Sequence, residues 1–257
     1  MRRACGPPAI ARDITPTPPA IQQDLPLADP VPLVAPLAPA AITRLWFCVW
    51  LPRLPLESVA GEHAGAATAI VEEQHGIHRI FLVDDEARAA GVQPGQAANA
   101  ALALLPALQL EERSLPREQQ ALEGLATWLE RFSSFVSIAD QDVLLLEIAG
   151  SLRLFGGLRE LRKKISKGLR GLGFTGALAI APTPLAATWL ARAGRRACIQ
   201  DETNLAPALR KLPLACMDWP ANLCETLAGM GGMSIGDCLR LPREGFTRRC
   251  GAESLLL

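Results

Sequence analysis

The chain has 257 residues, 49% hydrophobic and 20% charged, which is enough apolar content for one or two packed domains and too much for a disordered protein. Lys plus Arg equals Asp plus Glu at 26 each, so no global positive field draws the chain to nucleic acid. The charge is segregated, however: Arg153 to Arg196 holds ten basic residues and one acid, whereas Leu54 to Glu147 holds fifteen acids and five bases.

Seven scattered cysteines without a CxxC pair argue against a disulfide framework or a zinc site and fit a reducing cytoplasm. His75 and His78 have a spacing that suits a metal, but no further ligands converge on them, so a solvated loop is expected. No run of eighteen apolar residues offers a membrane span, and prolines after Met1-Arg2-Arg3 exclude a secretory signal.

In chain order, ten of the twenty-one prolines fall within residues 1–40, which makes residues 1–43 a Pro-rich flexible tail. Leu45 to Trp50 reads as a buried central strand ended by Pro52 and Pro55. A strand pair follows at Thr68 to Val71 and Arg79 to Val83, then a helix from Glu86 and a turn at Gly91 to Gly95. Leu122, Leu125, Trp128, Leu129 and Phe132 recur at helical spacing over residues 117–132. Phe135 to Ile138 and Val143 to Ile148 form a hairpin across Ala139-Asp140-Gln141-Asp142.

A basic helix over Leu158 to Leu172 turns Leu158, Leu161, Ile165 and Leu169 inward and Arg162, Lys163, Lys164 and Lys167 to solvent, and Gly173 stops it. Phe174 to Ala181 is a further strand, and Thr183 caps a helix that begins at Pro184. Strand, helix, hairpin, helix, strand predicts an α+β sheet with helices on one face. After Ile199 the chain breaks into short helical pieces around Pro213, Pro220, Gly231-Gly232 and Pro242. Leu255-Leu256-Leu257 reads as a truncated end.

Across roughly residues 44–250 this order, with several local motifs, resembles the Y-family (UmuC-like) DNA polymerases. Asp85-Glu86-Ala87-Arg88-Ala89-Ala90-Gly91-Val92-Gln93-Pro94-Gly95 is similar to the family's fingers motif, with Arg88 at a triphosphate-binding position and Asp85 where a Tyr is expected. Ser137-Ile138-Ala139-Asp140 stands where the family has Ser-Ile-Asp-Glu. Gly150-Ser151-Leu152-Arg153-Leu154-Phe155-Gly156 follows as it does there, and Arg195 takes the place of a basic residue near the triphosphate tail. The resemblance implies a ferredoxin-like palm over residues 44–52 and 108–199, small fingers over 53–107, and a partial helix-hairpin-helix thumb over 200–257. The little finger and clamp-binding tail would lie beyond Leu257.

Two-metal phosphoryl transfer needs acidic oxygens fixed on the palm strands. The same alignment puts Trp50 at the first metal-binding Asp, Pro52 at the second acid, Pro55 at the ribose-sensing aromatic and Ala139 at the other catalytic Asp. Only Asp140 keeps a carboxylate, and Gln141 and Asp142 look like insertions. Asp140 and Asp142 also read as ordinary turn residues, and Glu147 as solvated charge.

A polymerase scaffold without its carboxylates is similar to the ImuB-type branch. The resemblance therefore implies a non-catalytic subunit of a damage-induced translesion synthesis complex that binds DNA weakly. Its implied partners are a RecA-like accessory protein, an error-prone C-family polymerase and the sliding clamp, with no cofactor and cytoplasmic localisation. The competing reading is an active error-prone polymerase using Mg2+ on Asp140 with Asp142 or Glu147, and a third is an unproductive remnant. In the thumb, Asp218-Trp219-Pro220-Ala221-Asn222 replaces a Gly-rich phosphate turn. Arg240, Arg243, Arg248 and Arg249 either touch DNA phosphates or keep the surface soluble.

Overall fold

The computed structural model describes residues 44–60, 65–195, 197–217, 219–229, 231 and 234–242. The Pro-rich segment 1–43, Asp218 of the expected thumb turn, and Arg243, Arg248 and Arg249 lie outside the described residues.

The large sheet is built around β1 (Trp46–Trp50), an apolar run with aromatic ends. It pairs antiparallel on one side with β6 (Val143–Glu147) and on the other with β7 (Ala177–Ala181). With β5 (Val136–Asp140) at one edge the strand order is β5-β6-β1-β7, the ferredoxin-like arrangement that the family resemblance implies. Successive β1 residues point to opposite faces, so the strand serves two cores. Phe47 and Val49 pack with α4 (Leu115–Leu129) and α5 (Leu158–Gly171), whereas Cys48 packs with α6 (Pro184–Arg192).

The layer expected on one face is α4 with α5. Cys48, Val143, Leu145, Ala179 and Ala181 make the second face apolar as well, and α6 with the segment after it covers them. On α5, Leu161, Ile165 and Leu169 are buried, each contributing about 1.5–3 kcal/mol of hydrophobic stabilisation. Lys163, Lys164 and Lys167 are exposed as the spacing predicts, but Arg162 is half-buried. The helices α4 and α5 approach so closely that a Cβ at Gly168 would overlap the Trp128 ring.

Between β1 and α4 the chain forms α1 (Leu54–Glu57) and a second sheet of order β3-β2-β4, from β2 (Thr68–Gln74), β3 (Ile77–Val83) and β4 (Gln109–Glu112). The β2–β3 turn has His75 at φ 55° and Gly76 at φ 78°, the paired left-handed conformation of a tight hairpin. His75 is thus a turn residue, and His78 faces Glu112 at 3.4 Å. Helices α2 (Asp85–Ala89) and α3 (Ala98–Leu104) pack on this sheet, with the Asp84 side chain capping α2 at Ala87 N.

Thr183 caps α6 by accepting from Ala186 N at 3.3 Å. Beyond it come α7 (Glu202–Leu209), α8 (Ala221–Gly229) and α9 (Ile235–Cys238), the last with a Ser234–Asp237 capping box. Among the described residues no helix is long and apolar enough to cross a membrane.

Candidate functional site

The positions of interest gather at the end of the large sheet where β1 stops and the β5–β6 hairpin turns. Trp50 pairs with Val143 of β6 and Ala177 of β7, which puts its indole beside the hairpin. The turn is tighter than the expected loop over Ala139 to Asp142. Strand β5 continues to Asp140, and the ladder shifts between Ile138 and Asp140, so the extra length is absorbed as a bulge at Ala139. Ala139 is exposed, and the bulge turns Asp140 toward α6.

Helix α6 follows β7 and runs back across the sheet, so its last residue, Arg192, returns to the end where β1 stops. Its guanidinium donates to Asp140 Oδ2 at 2.7 Å and approaches Asp142 Oδ1 at 3.4 Å. The other oxygen of Asp142 accepts from Trp50 Nε1 at 2.7 Å. A cation at the C-terminal end of a helix is also favoured by the helix dipole. The Arg192 side chain is 13% exposed, against 42% for Asp140 and 33% for Asp142. Trp50, Asp142, Arg192 and Asp140 therefore form one connected chain of hydrogen bonds.

The cleft above this constellation, about 260 Å³, is also lined by Pro52, Phe81, Arg113 and Glu118. Pro52 is exposed and offers no oxygen from its side chain, and Pro55 is buried at the start of α1. Glu147 sits at the other end of its strand, opposite Trp46, about 13 Å along the sheet from the level of Trp50. There its Oε1 accepts from Leu45 N at 3.2 Å and Ala149 N at 3.1 Å, so it is a backbone anchor rather than a solvated charge or a partner for Asp142.

The two expected triphosphate contacts are not brought to one cavity. Arg88 is exposed on α2, whereas Arg195 lines a separate cleft of about 580 Å³ together with Arg53, Arg162 and Arg170. Arg53 also grips Asp85 through bonds of 3.0 and 2.9 Å, and its guanidinium holds that carboxyl below its usual range. Arg240 is exposed and lies 3.4 Å from Asp237. Among the described residues no group of three or more His, Cys, Asp or Glu converges as a metal site.

The sequence reading missed Arg192, Arg53, Arg162 and Arg170. The one available signal was position: Arg192 ends the helix whose capped start was correctly placed, and a nine-residue helix packed on a five-residue strand must return its last turn to the strand's beginning.

A family model described as impB/mucB/samB family matches residues 61–192. Protein ImuB of Caulobacter vibrioides, from strains NA1000 / CB15N and ATCC 19089 / CIP 103742 / CB 15, is 34% identical over 166 residues, covering 65% of this chain and 36% of the relative. The chain thus spans about a third of the length of these curated relatives. Among solved structures, DinB from Sulfolobus solfataricus superposes with a TM-score of 0.64 at 17% identity, covering 82% of this chain and 64% of that one. An insertion ternary complex of Dbh DNA polymerase gives 0.66 at 16% identity, covering 82% and 65%. At such identities these two likenesses establish a shared fold.

Proposed function

The chain belongs to the impB/mucB/samB family, and from that premise we propose that it is a non-catalytic, polymerase-like subunit of a damage-induced translesion synthesis and mutagenesis complex. In this reading it works in the cytoplasm and binds DNA and partner proteins. The observation that carries the proposal is the engagement of Asp140 and Asp142 by Arg192 and Trp50.

Phosphoryl transfer on two metals needs several carboxylate oxygens free to face the ions. Here Asp140 Oδ2 and both oxygens of Asp142 face an internal guanidinium and an indole N–H. A divalent cation would have to displace Arg192, whose fixed positive charge already offsets one carboxylate, and the Trp50 ring cannot ligate a hard ion. This donor set does not suit magnesium.

The similarity to ImuB supports placing the chain in the branch of the family without catalytic carboxylates. A RecA-like accessory protein, an error-prone C-family polymerase and the sliding clamp are then the partners to test. In the same scheme the palm comprises residues 44–52 and the chain after β4 to about 199, with the thumb following. The fingers take in β4, because it pairs with β2. Arg240 is a peripheral DNA contact, so the grip on DNA is weak.

The deciding experiment is manganese binding in the presence of a deoxynucleoside triphosphate, read by paramagnetic broadening on the wild-type chain, Asp140→Ala and Arg192→Ala. The non-catalytic reading expects no protein-dependent site in the wild type. In Arg192→Ala it expects a weak site, on the order of millimolar, as the two carboxylates are released. Tight wild-type binding that disappears in Asp140→Ala would overturn it in favour of an active error-prone polymerase.

A further inference from the structure

We infer that the corner where α4 ends and α5 begins is a docking surface for a partner protein that presents an apolar pocket rimmed by carboxylates. The corner lies at the end of the large sheet away from Trp50. There α4 leads into the start of β5, and the turn before α5 leaves the end of β6, where Glu147 pairs opposite Trp46. Leu154 is the centre of the surface. At 79% it is the most exposed large apolar side chain among the described residues, while its neighbours Leu152 and Phe155 pack against the core under α4 and α5. The turn that carries it is fixed by its own backbone: Leu154 N donates to Ser151 O at 3.1 Å and Gly157 N to Leu152 O at 2.8 Å. Gly156 and Gly157 follow at φ 76° and 96°, a left-handed pair that turns the chain into α5. Leu154 is thus projected from an ordered turn, which lowers the entropic cost of seating it in a partner.

Beside Leu154 stands an aromatic cluster with a cation at each end. Phe155 meets Phe132 at 5.4 Å between ring centres, and Phe132 meets Trp128 at 5.1 Å. Lys164 Nζ lies 5.3 Å from the Phe155 ring centre, and the Arg131 guanidinium 5.8 Å from that of Trp128. Arg131, Arg153 and Lys164 are exposed, and none has a carboxylate partner among the described residues. Of the acids nearest in sequence, Glu147 is held by backbone N–H groups, and only Glu130 and Glu160 are left at the surface. Glu160 is also the one acid between Arg153 and Arg196, so Arg159, Lys163 and Lys167 extend the positive excess along α5. An apolar knob within a positive rim is complementary to an apolar pocket within a negative one.

The same cations would attract a nucleic acid, but the apolar part of the surface does not suit one. Base stacking needs an open aromatic face. The Trp128 ring is packed against Gly168, Phe132 is buried between its two neighbours, and Phe155 has Lys164 over it. The group that stands out, Leu154, is aliphatic. Such a side chain gains free energy by leaving water for an apolar pocket, which a folded protein supplies and a phosphate backbone does not. Carboxylates at the rim of that pocket then meet Arg131, Arg153 and Lys164 and set the orientation of docking. The inference stands whether or not the opposite end of the sheet is catalytic.

The test is photo-crosslinking from Leu154→p-benzoylphenylalanine in the full chain, expressed in its own host with and without DNA damage. Mass spectrometry of the adduct peptide locates the captured segment, and the captured protein is then purified for affinity measurement. One protein adduct is expected to dominate, at a segment where Asp or Glu flanks apolar residues. Its Kd is expected to weaken at least about tenfold in the double variant Arg131→Glu with Lys164→Glu, and by a similar factor in Leu154→Asp. All three side chains are exposed, so the melting temperature should not change. Replacing the partner's rim carboxylates with Lys should restore binding to the charge-reversed chain. Absence of a protein adduct, an adduct to nucleic acid, a captured segment without carboxylates, or an affinity indifferent to the charge reversal or to Leu154→Asp would each overturn the inference.

Discussion

Arg113 closes a two-point ion pair on Glu118, with both N–H···O distances at 3.0 Å and Glu118 only 4% exposed. Arg113 follows β4 and Glu118 lies in the first turn of α4, so the pair fastens the small sheet to a helix of the large one. The same guanidinium reaches Glu72 of β2 at 3.2 Å and lies 4.2 Å from the Phe81 ring centre on β3. Hydrogen bonding to Glu118 holds Arg113 even more firmly protonated than usual.

Removing one member of a buried pair leaves the other charge without compensation. Arg113→Ala is therefore expected to cost about 3–5 kcal/mol, and the double substitution Arg113→Met with Glu118→Leu much less than that. Urea unfolding of both variants checks this, and a double variant as unstable as Arg113→Ala would show that the pair is not the cause.

The carboxyl of Glu57 is raised above its ordinary value of 4.5 by burial, against the opposing pull of the Thr175 backbone and of Arg53. The folded state thus favours the protonated form more than the unfolded chain does. The stability this contributes is fully present below the unfolded value and is lost as pH rises through the raised folded one. Glu57→Gln keeps an acceptor for Thr175 and removes the titration. Its unfolding free energy is expected to vary less than the wild type's as pH rises above about 4.5, and to match or exceed the wild type's at pH 7. Denaturant titrations at several pH values settle the sign. Asp85, lowered by Arg53, acts in the opposite sense, losing its contribution as pH falls through its depressed value.

Cys48 lies in the centre of β1, and burial pushes its thiol up to about 12, while burial pushes Cys216 to about 11. At pH 8 only about one part in ten thousand of Cys48 would be thiolate, and thiolate is the reactive form. Iodoacetamide is therefore expected to label the exposed Cys198 well before Cys48 or Cys216, both of which react only on unfolding. Peptide mass mapping over a time course reads this directly, and early labelling of Cys48 would contradict its place in the sheet.

What the sequence disclosed was local or periodic. The apolar run at β1, the leucine stripe of α4, the Thr183 cap and the Gly173 stop each follow from neighbouring residues, and all four are present. The element order then sufficed for an α+β sheet, and the ferredoxin-like arrangement followed from the family resemblance. The bulge at Ala139 stayed hidden, because a hairpin's register depends on how its partner strand seats the extra residue. Arg192 stayed hidden for another reason: its partners Asp140 and Asp142 lie some fifty positions earlier, and only the return of α6 across the sheet brings them together. The arginine cleft draws on three distant segments, so charge counting along the chain could show a basic stretch but not the cleft.

The contact of Gly168 with Trp128 carries a historical implication. With the indole filling the space a side chain at 168 would need, position 168 cannot gain a side chain while Trp128 keeps its ring and the helices keep their spacing. Any relative that carries a larger residue at the equivalent of 168 must have reduced the ring at the equivalent of 128, or spread the two helices. Grafts between relatives should therefore transfer α4 and α5 as a matched set.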